Sequence, residues 1–171
     1  MPLIPFSDMP GDARLWVFGA AAPVDTFDAA KLLATVDAFL LQWKAHGHPL
    51  TCARDWREER FLAIAVDQRT EGASGCSIDG LFRALRGHED TVGTSIVAGG
   101  LVFFRDSLGL VHALARDEFE KLSASGAVSA ATPVFDTTVT TAADYRSHFE
   151  REAGQSWHST LLSSGPRSRA T

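Results

Sequence analysis

The pattern of apolar and polar positions predicts alternating strands and helices in the first part of the chain. RLWVFGA at 14–20 predicts a strand, and from Asp25 to about His46 apolar residues recur with the spacing of an amphipathic helix. LTCARDWRE and RFLAIAVD predict a hairpin around a short charged turn. After the loop GASGCS, helical spacing returns and predicts a second helix over residues 77–90.

The same pattern predicts five further elements towards the C-terminus. GLVFFRD and LVHALA predict two strands joined by the turn DSLG. Asp117 and Glu120 resemble a capping box for a third helix that ends at Gly126. PVFDTTVTT predicts a last strand, and residues 141–152 predict a last long helix. The tail SSGPRSRAT is expected to be disordered.

The order of these elements predicts the fold class. The first six run strand, helix, strand, strand, helix, strand, which is the βαββαβ order of a ferredoxin-like fold with an antiparallel sheet and its helices on one face. We expect an α+β protein of this kind, extended by a hairpin strand, a helix, a strand and a C-terminal helix. An unrelated α+β roll is the alternative. The length of 171 residues predicts one domain over 1–164, with 165–171 as a disordered tail.

Composition narrows the classes of partner and compartment. The chain has 21 acidic and 16 basic residues, a net charge of -5, and its basic residues are scattered, which argues against a nucleic-acid partner. The N-terminal segment fits neither a secretory signal nor a membrane anchor, and the apolar runs are too short for a bilayer. We therefore predict a cytoplasmic protein without a membrane partner, in which Cys52 and Cys76 are reduced.

The predicted topology brings two loops together. In a ferredoxin-like order the first helix ends and the second helix begins at the same edge of the sheet. Residues 46–49, with an HxH pair, would then face residues 72–77. His46 and His48 could form half of a metal site, but the sequence offers no further ligands, so we predict no metal. No cofactor is predicted either, since the chain contains no Walker A motif.

The cysteine of GASGCS is the candidate nucleophile. At a helix N-terminus, Cys76 would have a lowered pKa because the helix dipole stabilises its thiolate. His48 or His46 would be the base, and the N–H groups of Gly75, Cys76 and Ser77 could receive an oxyanion. We expect Gly75 to take a positive φ before the helix. The alternative is that Cys76 only packs, as we expect for Cys52 inside a strand.

The same helix N-terminus could instead hold a small anionic ligand without reacting. Asp79 brackets the loop with Asp67 and Glu71, where the three carboxylates could bind a cation, or else it supports the first helical turn. Trp157 and His158 close the ordered chain, and docking of the C-terminal helix would also account for this tryptophan. The residues predicted to bind a ligand are Ser74, Gly75, Ser77, Asp79, Trp157 and His158.

The segment GASGCSID at 72–79 and the SWH triplet at 156–158 resemble a family of small uncharacterised bacterial proteins. The likeness extends over most of the chain, including WKAHGHPL and FLAIAVD. Members often carry an automatic label of ABC transporter ATPase, which the missing Walker motif argues against here. The resemblance implies only that these two segments are characteristic.

These observations lead to three hypotheses about function. The first is a cysteine-dependent hydrolase or acyltransferase that acts on a small ester, thioester, lactone or amide. The second is a binding module for a small anionic ligand. The third is a partner-binding or oligomerisation domain, with a homo-oligomer as one form. They differ in whether Cys76 reacts, neighbours a ligand or only packs.

Overall fold

A computed structural model of the chain describes residues 3–69, 71–97 and 99–163. These residues form a mixed α+β structure with four α-helices and antiparallel sheets, which confirms the predicted class. Two compact units can be distinguished, residues 1–98 with 137–149 (unit 1) and residues 99–136 with 150–171 (unit 2). One domain over 1–164 stays a prediction, and the predicted tail 165–171 lies outside the described residues.

The elements follow one another in a mixed order along the chain. The strands are β1 (Arg14–Gly19), β2 (Lys44–Ala45), β3 (His48–Pro49), β4 (Cys52–Arg57), β5 (Phe61–Val66), β6 (Leu101–Arg105), β7 (Val111–Ala115), β8 (Pro133–Phe135) and β9 (Glu150–Glu152). The helices are α1 (Thr26–Gln42), α2 (Gly75–Val92), α3 (Arg116–Ala124) and α4 (Ala142–His148). Short 3-10 helices occur at Phe6–Asp8, Ala153–Gln155 and Trp157–Leu161.

The main sheet of unit 1 is antiparallel with the order β1-β5-β4. Every residue of the central strand β5 is buried, which explains its unbroken apolar sequence FLAIAV. Leu62, Ile64 and Val66 share one core with the apolar faces of α1 and α2. The three strands therefore have the neighbours that a ferredoxin-like order requires, and these two helices cover one face.

The other face of this sheet carries α4, which the sequence did not predict there. The Phe149 ring, at the end of α4, packs edge-on against Phe61 with 5.1 Å between ring centroids. The Tyr145 hydroxyl donates to the Asp55 carboxylate at 3.0 Å. The sheet is thus covered on both faces: α1 and α2 lie on one face, as the βαββαβ order predicts, and α4 lies on the other.

The fourth strand of the predicted ferredoxin-like sheet does not pair with β1. Strand β6 pairs with β7 and β8, in a sheet of unit 2 with the order β7-β6-β8-β9. The outer edge of β1 is instead contacted by residues 140–141, where the Leu15 amide donates to the Thr140 carbonyl at 2.8 Å. Since this edge is occupied, the ferredoxin-like topology is not confirmed.

The last predicted helix is shorter than expected. It was predicted over 141–152, but α4 ends at His148 and Glu150–Glu152 form β9 beside β8. Ion pairs hold β9 in place: Glu150 accepts from the Arg105 guanidinium at 2.7 Å, and Arg151 donates to Asp136 at 2.6 Å. Sheet pairing therefore prevails over helical spacing at this point.

The prediction of a capping box for α3 named the wrong residues, Asp117 and Glu120. Glu118 accepts from the Ala115 amide at 3.3 Å, while Asp117 forms an ion pair with Lys121 at 3.1 Å. The expected stop is confirmed, because Gly126 has a φ of 79° just after the helix. In unit 2, Phe119 of α3 packs in a core with Phe104 and Val134.

Helix length and apolarity bear on a membrane location. Within residues 3–69, 71–97 and 99–163, none of the helices has both the length and the apolar character that a bilayer crossing needs.

Candidate functional site

The first turn of α2 is built by the GASGCS segment. The Ser74 hydroxyl is the N-cap and accepts from the Ser77 amide at 3.3 Å, while the Ser77 hydroxyl donates to the Ser74 carbonyl at 2.8 Å. The helix begins two residues before the predicted start at 77, because Ser74 rather than Ser77 is the cap. Both hydroxyls are therefore engaged in the cap.

Gly75 does not have the predicted conformation. It is the first residue of α2, and it is not among the glycines with a positive φ in the described residues. A Cβ placed at Gly75 would meet no atom within 4 Å. The expectation of a constrained turn is wrong, because the chain enters this helix through Ser74 in extended conformation.

The end of α1 and the start of α2 meet, as the topology predicted. Trp43, the C-cap of α1, donates from its indole Nε1 to the Ser77 carbonyl at 3.0 Å. Its own carbonyl accepts from the Leu50 amide at 3.0 Å, which closes the small hairpin of β2 and β3. The hairpin that carries His46 and His48 is therefore anchored beside the first turn of α2.

Cys76 is exposed in this turn, and His46 and His48 are exposed in the hairpin. Within the part of the chain that the structure describes, no hydrogen bond joins Cys76 to either histidine. Cys52, in contrast, is buried and donates to the Leu40 carbonyl at 3.5 Å, and burial raises the pKa of its thiol to about 12. The expectation that Cys52 serves packing is confirmed.

A groove of about 370 Å³ runs along the exposed side of α2 and is lined by Asp79, Phe82, Arg83 and Arg86. Asp79 was predicted as a ligand-binding residue, whereas the other three were missed. Their spacing of three or four residues places all four on one side of a helix. This signal was present in the sequence once the helix itself had been predicted.

The two arginines of the groove differ from the others in the structure. Within residues 3–69, 71–97 and 99–163, Arg83 and Arg86 make no hydrogen bond, ion pair or ring contact. The remaining described arginines each bond to a carboxylate or a carbonyl or lie over an aromatic ring, and they are Arg14, Arg54, Arg57, Arg60, Arg69, Arg105, Arg116, Arg146 and Arg151. Arg86 still interacts electrostatically with Glu89, so Arg83 is the guanidinium of the groove that the described fold leaves unused.

The carboxylates around the loop before α2 do not gather into a metal site. Asp67 is buried and accepts from the Arg69 guanidinium at 2.7 Å, and this bond holds the pKa of Asp67 below its usual range. Across the described residues, no group of three or more histidine, cysteine, aspartate or glutamate side chains could hold a metal ion. A cation site formed with Glu71 and Asp79 is therefore not seen.

Trp157 and His158 lie in a polar cluster of unit 2. The two rings stack with centroids 3.9 Å apart, and the Arg116 guanidinium lies over Trp157 at 5.0 Å. The indole Nε1 donates to Asp136 at 3.2 Å. Asp136, Arg116 and Arg151 were not identified from the sequence, because the strand and helix that would carry Asp136 and Arg151 were wrongly bounded.

His158 is 1% exposed, and its Nδ1 lies 2.7 Å from the Ser156 hydroxyl. Burial lowers the pKa of His158 to about 4. A neutral, buried ring stacked on Trp157 offers no open position for a ligand, so this cluster stabilises unit 2. That arrangement supports the packing alternative for these two residues.

A second groove, of about 430 Å³, lies in unit 2 between β6 and residues 127–133. Its charged groups are already bonded: Arg105 to Glu150 at 2.7 Å, and Asp106 to His112 at 2.7 Å. The α2 groove is therefore the better candidate for an unassigned ligand.

Comparison with models of known protein families, with curated proteins and with solved structures found no match for this chain. The resemblance carried by GASGCSID and SWH stays a prediction. The candidate site accordingly depends on the geometry of α2 alone.

Proposed function

We propose that the chain is a binding module for a small anionic ligand, which it holds along the exposed face of α2. The observation that carries this proposal is the pair Arg83 and Arg86, which share one groove and make no hydrogen bond or salt bridge within the described residues; Arg86 also interacts electrostatically with Glu89. A guanidinium pairs strongly with carboxylate or phosphate oxygens, since both partners are charged and planar geometry allows two parallel bonds.

The size and charge of the protein support this proposal. A groove of about 370 Å³ falls within the range of small-molecule sites, about 300 to 1,000 Å³. The chain carries a net charge of -5, so two neighbouring arginines on one helix face, of which Arg86 interacts electrostatically with Glu89, do not belong to a generally basic surface. Their local positive charge therefore favours one anion at this place.

The first turn of α2 lies about 12 Å along the helix from Arg83 and is a second place that favours a negative group. Gly75 precedes Asp79 by four residues and Arg83 by eight, so all three lie along one side of the helix. The Gly75 and Cys76 amides are at the end of the helix where N–H groups have no intrahelical acceptor. The helix dipole there favours a negative group, as the sequence predicted.

Inorganic phosphate is the simplest probe of this proposal. We expect saturable binding, seen as chemical-shift changes of α2 amides in a nitrogen-15 labelled sample. Substituting Arg83→Gln or Arg86→Gln should weaken binding about tenfold, because a hydrogen bond to a charged group is worth roughly 1.5 to 3 kcal/mol. Arg14→Gln is the matched control, since it removes an exposed arginine outside the groove.

Two results would contradict the proposal. One is the absence of saturable shifts at any phosphate concentration at which the protein stays folded. The other is an equal loss of affinity in Arg14→Gln and Arg83→Gln, which would show that phosphate responds only to net charge.

The second candidate function is a cysteine-dependent enzyme. The bond from Trp43 to the Ser77 carbonyl favours it, because it anchors the hairpin with His46 and His48 beside the exposed Cys76. In this mechanism the Cys76 thiolate attacks the carbonyl carbon of an ester, thioester, lactone or amide. The leaving group departs with a proton from His48 or His46, and water then releases the acid from the thioester.

Alkylation of the thiols tests this second function. We expect iodoacetamide near pH 6.5 to modify Cys76 before Cys52, and either His48→Ala or His46→Ala to slow the reaction. Cys76→Ser should keep the fold and abolish turnover of activated esters. Labelling of Cys76 no faster than that of free cysteine, with no effect of either histidine, would eliminate the enzyme.

The remaining predictions accompany this proposal. We propose a cytoplasmic location, no nucleic-acid partner and, as one form, a homo-oligomer. Light scattering of the purified protein tests the oligomer, and a single mass equal to that of one chain at all concentrations would contradict it.

A further inference from the structure

We infer that the ligand of the α2 groove is a phosphate monoester that carries free hydroxyl groups, such as a phosphorylated polyol. This inference rests on the proposed function, because it names the ligand class of the same groove. It follows from four neighbouring groups of three chemical kinds: two guanidiniums, one carboxylate and one aromatic ring.

The two arginines favour a phosphate over a carboxylate. Arg83 and Arg86 are three residues apart on α2, so their Cβ atoms are about 5 to 6 Å from each other. Each guanidinium can present a pair of parallel donors. A carboxylate has two oxygens, which one such fork already engages. A phosphate monoester has three terminal oxygens and up to two negative charges, so it can engage both arginines at once.

Asp79 limits the rest of the ligand. It lines the same groove, four residues before Arg83, and forms no ion pair with that arginine within the described residues. An ionised carboxylate only accepts hydrogen bonds, so it binds a hydroxyl group and repels a second phosphate or a carboxylate. The groove therefore selects a monoester with a neutral, hydroxyl-bearing remainder against a diphosphate or a dicarboxylate.

Phe82 provides the apolar side of the groove. Its ring packs edge-on against Phe18 with 5.2 Å between centroids, so it is anchored in the core of unit 1. A fixed aromatic surface between a carboxylate and two guanidiniums can contact the carbon skeleton of a ligand whose ends bind the charged groups. A compound with a short aliphatic chain between phosphate and hydroxyl groups has this arrangement.

A set of four probes tests the inference on the full chain: glycerol 3-phosphate, inorganic phosphate, pyrophosphate and glycerol. We expect glycerol 3-phosphate to bind at least about tenfold more tightly than phosphate. Pyrophosphate should bind less tightly than glycerol 3-phosphate despite its larger charge, and glycerol alone should not bind. Shifts of the α2 amides in nitrogen-15 labelled protein identify the groove as the place of binding.

Variants separate the ligand class from the proposed function. In Asp79→Asn, we expect the preference for glycerol 3-phosphate over phosphate to fall and pyrophosphate to bind more tightly than in the parent. Arg83→Gln and Arg86→Gln should weaken the binding of both glycerol 3-phosphate and inorganic phosphate, whereas Arg14→Gln should change neither affinity. All four substitutions are at exposed positions, and circular dichroism checks that the fold is kept.

Each negative result has a distinct meaning. If phosphate binds at the arginines but glycerol 3-phosphate binds no better, or pyrophosphate binds best, the inference is overturned and the proposed function stands. Absence of any anion binding overturns both.

Discussion

The α2 groove of unit 1 and the Trp157 cluster of unit 2 contain similar groups in opposite states. Both combine an aromatic ring, a carboxylate and arginines. In the cluster, Trp157 donates to Asp136, lies under Arg116 and stacks on a buried histidine. In the groove, Arg83 and Arg86 face solvent without a hydrogen bond or salt bridge in the described residues.

The difference shows how a polar cluster that stabilises the fold can be told from a site for a ligand. Buried polar groups cost free energy unless they are bonded, so a cluster whose members mostly satisfy one another contributes to stability; here the buried Arg151 Nε lacks a hydrogen bond within the described residues. Exposed charges without partners contribute little to stability and stay available for binding. Residue type alone did not separate the two regions, since Asp79, Trp157 and His158 were all predicted to bind a ligand.

Among variants that compare the two regions, we expect the largest change in the free energy of unfolding from a substitution in the Trp157 cluster. Trp157→Ala should lower the free energy of unfolding by about 3 kcal/mol, because it removes a large packed ring and its bond to Asp136. The double variant Arg83→Gln, Arg86→Gln should change it by less than about 0.5 kcal/mol. Urea unfolding measures both, and equal losses would remove the distinction between the two regions.

The cluster should also make the protein sensitive to mild acid. Burial lowers the pKa of His158 from 6.5 to about 4, against the opposing pull of Asp136. The folded state therefore binds fewer protons than the unfolded state in this interval. The free energy of unfolding is therefore unaffected by this group above the unfolded pKa of 6.5. It falls as the pH decreases towards 4, by roughly 3 kcal/mol in all.

Urea unfolding at several pH values measures this loss, and His158→Gln is the control because it cannot titrate. The variant is expected to be less stable at neutral pH and to depend less on pH within the same interval. If parent and variant show the same pH dependence, His158 is not the group that titrates.

A smaller effect is expected from a conservative change in the groove. Arg83→Lys keeps the charge but removes the planar pair of donors, so phosphate affinity should fall by about threefold to tenfold. The free energy of unfolding should not change, since Arg83 makes no hydrogen bond, ion pair or ring contact in the described residues. Calorimetric titration with phosphate measures the affinity, and an unaltered value would show that only charge matters there.

The smallest effect concerns Gly75 at the start of α2. Gly75→Ala should raise the free energy of unfolding by about 0.5 kcal/mol, because the conformation suits alanine and a Cβ meets no atom within 4 Å. Thermal unfolding measures the change. A clear destabilisation would mean that this turn is constrained after all, as the sequence analysis expected.

Local patterns were sufficient for much of the fold. The apolar runs gave β1, β4, β5, β6 and β7 nearly to the residue, and Asp25 caps α1 by accepting from the Phe27 amide at 2.8 Å. These elements depend on periodicity and on capping chemistry, which are properties of a few neighbouring residues. The same patterns failed at residues 141–152, where pairing with β8 decides the structure.

The candidate site also has features that the sequence predicted and features that it missed. The meeting of the two helix ends followed from the order of the elements, and the bond from Trp43 to the Ser77 carbonyl confirms it. The groove was missed because Phe82 was considered only for its helical spacing, and Arg83 and Arg86 were not considered as ligand-binding residues. Whether a surface arginine has a partner depends on residues distant in the sequence.

The sequence by itself determined the α+β class and most strands and helices, since short-range forces govern these elements. Tertiary structure decided which strands share a sheet, because residues 140–141 contact the edge of β1 where a fourth strand was expected. It also decided which polar groups are bonded. His158 is buried against Ser156 and Trp157, whereas Arg83 and Arg86 face solvent. No local sequence pattern contains that information.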